Sequence, residues 1–168
     1  KGWGYSKDII FSISIPPGFE GEDNSLFQSR FFSNVSGFPE PDDRVSYVTV
    51  STFRVAGIEM WMIYKDTKGR WLENLVRMNF EEIKSHIDGL QSSSISYFKG
   101  NPMLSVRAKR KARFNNRNFA DFAGRVVMVD EGLIQLECGT VFDQYLGAMD
   151  KHYESVVCEG FFDSLVAQ

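Results

Sequence analysis

The sequence predicts an α+β fold in which an antiparallel β-sheet is flanked by a long central helix and a C-terminal helix. Two observations support this prediction. Most apolar residues alternate with polar ones, as in strands, and only two segments show the spacing of an amphipathic helix. The strand-like segments follow one another through short turns, which favours an antiparallel sheet. With no long linker or internal repeat, the chain is expected to form one domain, 1–168.

The first half of the chain is expected to supply strands at residues 9–15, 26–32 and 46–55. Polar, turn-rich loops are expected at residues 20–25 and 36–44. In the first strand Phe11, Ile13 and Ile15 alternate with serines, and the PPG that follows ends the run. The third strand is apolar on both sides and therefore belongs inside the sheet. The pattern of residues 56–70 fits either a strand or a helix.

Two segments have helical spacing. The central helix is predicted over residues 71–90, with an apolar stripe made of Leu72, Val76, Phe80, Ile83, Ile87 and Leu90. Asn79 could instead cap a second helix that begins at Phe80. The C-terminal helix is predicted after Phe142, with Gly160 at its end. Its shared face consists of Tyr145, Met149, Tyr153, Val156 and Val157.

The second half of the chain carries the other strands, predicted at residues 94–98, 103–114, 125–129 and 133–138. The KGNP sequence at 99–102 joins the first two of these as a turn. The last two form the clearest hairpin in the sequence, because two β-rich runs are joined by three residues with Gly132 in the final place.

A basic strip, RAKRKARFNNR, occupies residues 107–117. It contains six basic residues. Arg107, Lys109, Lys111 and Arg113 share odd positions, the neighbouring even positions hold mainly apolar residues, and only Arg110 breaks the alternation. Since successive residues of a strand point to opposite faces, the strip is predicted to be a strand with one apolar and one basic face. Cross-strand carboxylates from the acidic C-terminal part of the chain could pair with the basic face. The same four residues are also a candidate binding face for an acidic protein or lipid surface. Nucleic acid is disfavoured, because the sequence pI is about 5.4 and few aromatic residues lie nearby.

The sequence nominates no catalytic, cofactor-binding or metal-binding residue. Glycine-rich phosphate loops and nucleophile motifs are absent from the sequence, and its two histidines, His86 and His152, lack partners at ligand spacing. Cys138 and Cys158 do not form a CxxC pair. They are interpreted as buried free thiols or, alternatively, as one disulfide, which would indicate an oxidising compartment.

The order of elements resembles the Mog1/PsbP-like superfamily, which includes small bacterial lipoproteins and DcrB-like proteins. The segments that carry the resemblance are SIPPGF after the first strand, YVTVSTF, KGNP, the hairpin RVVMV…LIQLEC and the closing YESVVCEGFFDSL. Gly160 replaces the usual serine of that close, and residues 56–70 have no counterpart. The resemblance implies an antiparallel sheet flanked by helices and a binding or accessory role without catalysis.

The sequence therefore predicts a non-catalytic binding or accessory domain of unknown ligand, with no cofactor and with an unidentified protein partner. It is expected to be bacterial, extracytoplasmic, and exported or lipid-anchored. No segment of the chain is long and apolar enough to span a membrane, so a lipid anchor would lie upstream. The alternative is a cytoplasmic chaperone or adaptor that holds an apolar segment of a partner in a groove lined by aromatic residues and methionine.

Overall fold

A computed structural model describes residues 9–24, 29–34, 44–53, 70–111, 119–129, 132–142 and 147–167. Strands make up 56% of this part of the chain, in two sheets. They are β1 (Phe11–Ser12), β2 (Glu20–Asn24), β3 (Ser29–Ser33), β4 (Val45–Phe53), β5 (Leu90–Phe98), β6 (Asn101–Lys111), β7 (Phe119–Val129), β8 (Gly132–Phe142) and β9 (Val166–Ala167). The helical elements are α1 (Arg70–Ser85), a π-helical turn (Tyr153–Cys158) and α2 (Glu159–Asp163).

The large sheet contains seven strands in the order β2-β3-β4-β8-β7-β6-β5, and all neighbours are antiparallel. The long-range pair is β4 with β8, which joins the two halves of the chain and places Tyr47 opposite Gly139. The small sheet pairs β1 with β9, so that Phe11 lies opposite Ala167. The two ends of the described chain are thereby held together.

The large sheet has two covered faces. We call the one beneath α1 the helix face; Val76 and Phe80 of α1 are buried there against Leu104, Val106 and Phe122 of the sheet. The opposite face is covered by residues 9–19 and 147–167, and we call it the C-terminal face. Its buried core consists of Ile9, Val48, Val50, Ala123, Val127, Val129, Ile134, Leu136, Cys138, Met149, Cys158, Phe161, Phe162 and Leu165.

The predicted α+β class is wrong, because the described chain is mostly β. Strands β5, β7 and β8 extend well beyond the predicted runs, since ladder hydrogen bonds hold residues such as FADFAG that carry little strand pattern of their own. The segment predicted as a long central helix to residue 90 ends at Ser85, and Leu90 already begins β5. Between them Gly89 has a φ of +69°, and a Cβ there would lie 1.9 Å from the Lys109 carbonyl oxygen.

Smaller predictions also fail. The segment EGEDN, predicted as a loop, forms edge strand β2 through pairing with β3. The C-terminal helix begins at Lys151, well after Phe142. It continues through Gly160 to Asp163, so that glycine does not end it. Most of the ambiguous 56–70 segment, residues 56–69, lies outside the described residues.

Candidate functional site

Of the four odd-numbered basic residues of the strip, Arg107, Lys109 and Lys111 lie on β6, on the C-terminal face of the sheet, and Arg113 falls outside the described residues. The predicted alternation is present, since Leu104, Val106 and Ala108 are buried on the helix face. Of the basic residues, Lys111 is exposed, whereas Arg107 and Lys109 are partly covered. The strip therefore faces the C-terminal segment of its own chain for part of its length, and its binding of an external partner stays a prediction.

Arg107 is bound by two carboxylates, those of Asp121 and Glu154. Its Nε donates to Glu154 Oε1 at 2.6 Å, its Nη2 donates to Asp121 Oδ2 at 3.2 Å, and Nη1 also bonds Asp121 Oδ1. Asp121 is buried and accepts a further hydrogen bond, 2.7 Å long, from the Met149 N–H. Burial by itself would raise the pKa of Asp121, but the hydrogen bonds from Arg107 and Met149 and the nearby positive charges lower this pKa overall. Asp121 thus stays ionised and links β6 to the C-terminal segment.

Two more basic residues hold the same segment. Lys109 Nζ donates to the Gly147 carbonyl oxygen at 2.6 Å and lies over the ring of Phe142. Arg125 donates to Glu159 at 3.2 Å, and its guanidinium lies 4.8 Å from the centre of the Phe162 ring. Strand side chains on this face therefore fasten the covering segment at several points along its length.

A disulfide adds a covalent link between the sheet and this segment. Cys138 of β8 and Cys158 at the end of the π-helical turn are bonded, with their Cα atoms 5.6 Å apart. The interpretation of the cysteines as free thiols is wrong, and the disulfide alternative is confirmed. Sequence spacing could not decide between them, because the two residues meet only when the helix folds onto the sheet.

An apolar groove of about 380 Å³ runs between this helix and the N-terminal segment. One wall contains Ile15, the two prolines and Phe19; the other contains Tyr153, Val156, Val157 and Phe161. Ser14, Asn34, Ser46 and Gly160 complete the described lining, and none of these described lining residues is charged. We call this space the apolar groove.

Tyr153 fixes the geometry of the groove. Its ring stacks on Phe19 with centroids 6.5 Å apart, and its hydroxyl donates to the Tyr47 carbonyl oxygen at 3.2 Å. Burial raises the pKa of Tyr153, so the hydroxyl stays protonated and remains a donor. The same hydroxyl lies 3.3 Å from the Cys138 sulfur. The groove wall is therefore bound directly to the sheet beside the disulfide.

The π-helical turn changes which residues share a helix face. In a π-helix each backbone N–H bonds the carbonyl oxygen five residues earlier, so residues are spaced around the helix differently from those of an α-helix. Val156 is 54% exposed at the groove, while Tyr153 and Val157 are half-buried. Regular helical spacing placed all three on one buried face, and nothing in the sequence signals the wider turn. Turns of this kind occur frequently at functional sites.

The described residues give no sign of a metal centre or a membrane span. Groups of three or more His, Cys, Asp or Glu side chains that could hold a metal ion do not occur among them. No helix in the described ranges has the length and apolar character needed to cross a membrane.

Comparison with known proteins finds similarity among solved structures. No family model matches the chain, and no curated protein matches its sequence significantly. The structure is similar to the solution structure of cyanobacterial PsbP (CyanoP) from Synechocystis sp. PCC 6803, with 10% sequence identity and a TM-score of 0.34 over 100% of this chain and 96% of that chain. Membership of the Mog1/PsbP-like superfamily stays a prediction.

Proposed function

We propose that this chain is a non-catalytic binding domain that holds an apolar segment of a partner protein in the apolar groove. The observation that carries the proposal is the groove itself, an open apolar space of about 380 Å³ between two fixed walls. Ligand sites typically combine apolar walls with a few polar groups, and Ser14, Asn34 and Ser46 supply polar atoms at this one.

The chemistry of the lining favours a protein segment over a lipid. A fatty acid or phospholipid carries a charged headgroup, which is best held by a basic side chain. The described lining of the groove contains no charged residue, so such a headgroup would find no counter-charge there. Large uncharged side chains of a peptide, such as Leu, Phe or Met, fit the apolar walls and need no counter-charge.

We also infer that the domain works outside the cytoplasm. The Cys138–Cys158 disulfide supports this, because disulfides persist in oxidising compartments and are rare in the cytosol. The same observation disfavours the alternative of a cytoplasmic chaperone or adaptor. Export and a lipid anchor upstream of Lys1 remain parts of the proposal, and the complete gene tests them through the presence or absence of a signal sequence with a lipobox cysteine.

The basic strip is a second candidate contact surface. Arg107 and Lys109 bind the chain's own C-terminal segment, whereas Lys111 is exposed at the end of β6. We propose that any acidic partner of the strip contacts it at Lys111 and the neighbouring Arg113.

The groove can be blocked without disturbing the fold. Gly160 lines it and is exposed, and a Cβ at this position would have no atom within 4 Å. Leucine is a better helix former than glycine, so Gly160→Leu should fill the groove while keeping or raising stability. Ser155→Leu is the matched control, because it adds the same side chain to an exposed position on the same helix that does not line the groove.

The experiment selects short peptides from a displayed random library on the oxidised wild-type protein. We expect selected peptides to be rich in large apolar side chains, to bind Gly160→Leu about tenfold or more weakly, and to bind Ser155→Leu as they bind the wild type. Equal affinity for wild type and Gly160→Leu, or selection of acidic peptides only, would contradict the proposal.

A further inference from the structure

The two edge strands of the large sheet, β2 and β5, differ in character. Strand β2 is five residues long, and its sequence EGEDN contains three acidic residues. Strand β5 is nine residues long, and its sequence LQSSSISYF contains no charged residue and no proline. Short length, charge and proline are features that keep an edge strand from pairing with another chain. Strand β2 has the first two of these features, whereas β5 has none.

The outer edge of β5 is open to solvent. Among the described strands β5 pairs with β6 alone, so one side of its backbone has no strand beside it. The seven residues 91–97 are all exposed. The N–H and C=O groups that point away from β6 are therefore accessible to the backbone of a further strand.

Two large apolar side chains are exposed on one side of β5. Ile95 lies opposite Leu104 in the β5–β6 register, and Tyr97 lies opposite Pro102. Residues directly opposite each other in an antiparallel pair share a face, so Ile95 and Tyr97 are on the helix face with Leu104. Ile95 is 42% exposed and Tyr97 is 61% exposed. A strand added to this edge would cover part of that apolar area.

The position of Ile95 within β5 suits pairing of the strand with its own copy. The β5–β6 ladder is irregular between Leu90 and Ser92 and regular from Ser92 to Phe98, a run centred on Ile95. Antiparallel pairing of two copies about this centre places Ile95 opposite Ile95 and Ser93 opposite Tyr97. Tyr97 then becomes the diagonal neighbour of Ile95 in the second copy, a position that an aromatic ring can reach. The exposed apolar side chains of the two copies would therefore cover one another.

The lack of charge also favours a second copy as the occupant of this edge. In a two-fold interface the same residues contribute from both sides, so a charged strand would meet its own charge. Like charges directly opposite each other destabilise a sheet, and self-pairing of EGEDN would give that result. A strand that recognises a charged partner gains from carrying the opposite charge, and β5 carries none.

We propose that two copies of this chain pair antiparallel along β5 and join their seven-stranded sheets into one continuous sheet. The two-fold axis is normal to the sheet beside Ile95, so the helix faces of both copies lie on the same side. Both apolar grooves then lie on the other side, where one partner can engage them together. The dimer itself does not rest on the proposed function, because no described residue of the groove lining belongs to β5.

Sedimentation velocity of the oxidised full chain, from about 1 µM to about 1 mM, tests the proposal. We expect a reversible equilibrium between monomer and dimer. Ile95→Lys places two ammonium groups opposite each other and should weaken the dimer about tenfold or more, and Ile95→Glu should do the same with two carboxylates. Met78→Lys is the matched control, because it removes a 69% exposed apolar side chain from α1 and should leave the equilibrium unchanged.

A mixture of Ile95→Lys with Ile95→Glu tests the two-fold pairing itself. The opposite charges face each other only if residue 95 lies opposite its own copy, so the mixture should associate more tightly than either variant alone. Hydrogen exchange of the wild type tests the same edge without any substitution, since amide protection in residues 92–98 should rise with protein concentration.

Three results would overturn the proposal. They are a wild type that stays monomeric throughout, including one whose β5 pairs with a peptide instead, a dimer that Ile95→Lys leaves intact, and a mixture that does not associate. The peptide selection on Gly160→Leu probes the apolar groove alone, so a failure there and a failure here are distinguishable.

Discussion

The two faces of the large sheet are covered by different kinds of interaction. On the helix face, α1 packs through apolar side chains such as Val76 and Phe80, and the polar groups gather around Glu137. On the C-terminal face, a disulfide and the ion pairs of Arg107 and Arg125 reinforce the apolar core. The helix there is shorter than α1 and contains a π-helical turn, and isolated helices of about that length are marginal in water. The disulfide and these ion pairs therefore hold this helical wall of the apolar groove against the sheet.

The largest loss of stability is expected from a charge placed in the apolar core of the helix face. Val106→Asp would bury a carboxylate in the apolar core beside Gly124, which should lower the free energy of unfolding by about 4 kcal/mol or more and unfold a marginal domain. Circular dichroism during urea titration measures this. Lys111→Gln, on the exposed side of the same strand, is the control and should change stability by about 0.5 kcal/mol or less. Equal destabilisation by both variants would mean that the two faces of β6 are wrongly assigned.

The next largest loss of stability is expected when the disulfide, the covalent link of the C-terminal face, is removed. The disulfide spans a sequence separation of 20 residues, so Cys138→Ala/Cys158→Ala should lower the free energy of unfolding by about 3 kcal/mol. Amide hydrogen exchange should accelerate most in residues 147–167, while α1 keeps its protection. The wild type under reducing conditions should behave like the double variant. Faster exchange that is uniform over both faces would contradict the contrast between them.

A smaller effect depends on pH. Arg107→Ala leaves the buried Asp121 carboxylate without its cation, which should cost about 2 kcal/mol near neutral pH. Because the folded-state pKa of Asp121 is lowered from 3.8, its stabilising effect is present above that pH and is lost as pH falls through the folded pKa. The difference in unfolding free energy between wild type and variant should therefore shrink below about pH 4.

The control for this pair is Arg125→Ala. Its partner Glu159 is 47% exposed, so the loss should be about 1 kcal/mol or less at every pH. A difference between wild type and Arg107→Ala that stays constant from neutral to acid pH would argue against Asp121 as the group responsible.

Local patterns in the sequence predicted individual strands better than they predicted the fold class. The alternation of Leu104, Val106 and Ala108 with basic residues placed both faces of β6 correctly, because strand geometry alone decides it. The extensions of β7 and β8 depend on pairing with neighbouring strands, which a local pattern does not contain. The polar EGEDN becomes a strand for the same reason, since β3 supplies its hydrogen bonds.

The candidate sites were only partly predictable. The acidic C-terminal part of the chain suggested partners for the basic strip, and Glu154 is one of them. The apolar groove requires the π-helical turn and the meeting of Phe19 with Tyr153, and neither leaves a local signal in the sequence.

The most direct test of the central claim is a map of amide chemical shifts for a peptide selected on the oxidised protein. We predict that the shifts cluster at residues 15–19 and 153–161, on the two walls of the apolar groove, with none at Gly124 or Glu137. Shifts centred on Lys109 and Lys111 instead, with the groove walls unchanged, would contradict the account and identify the basic strip as the binding surface.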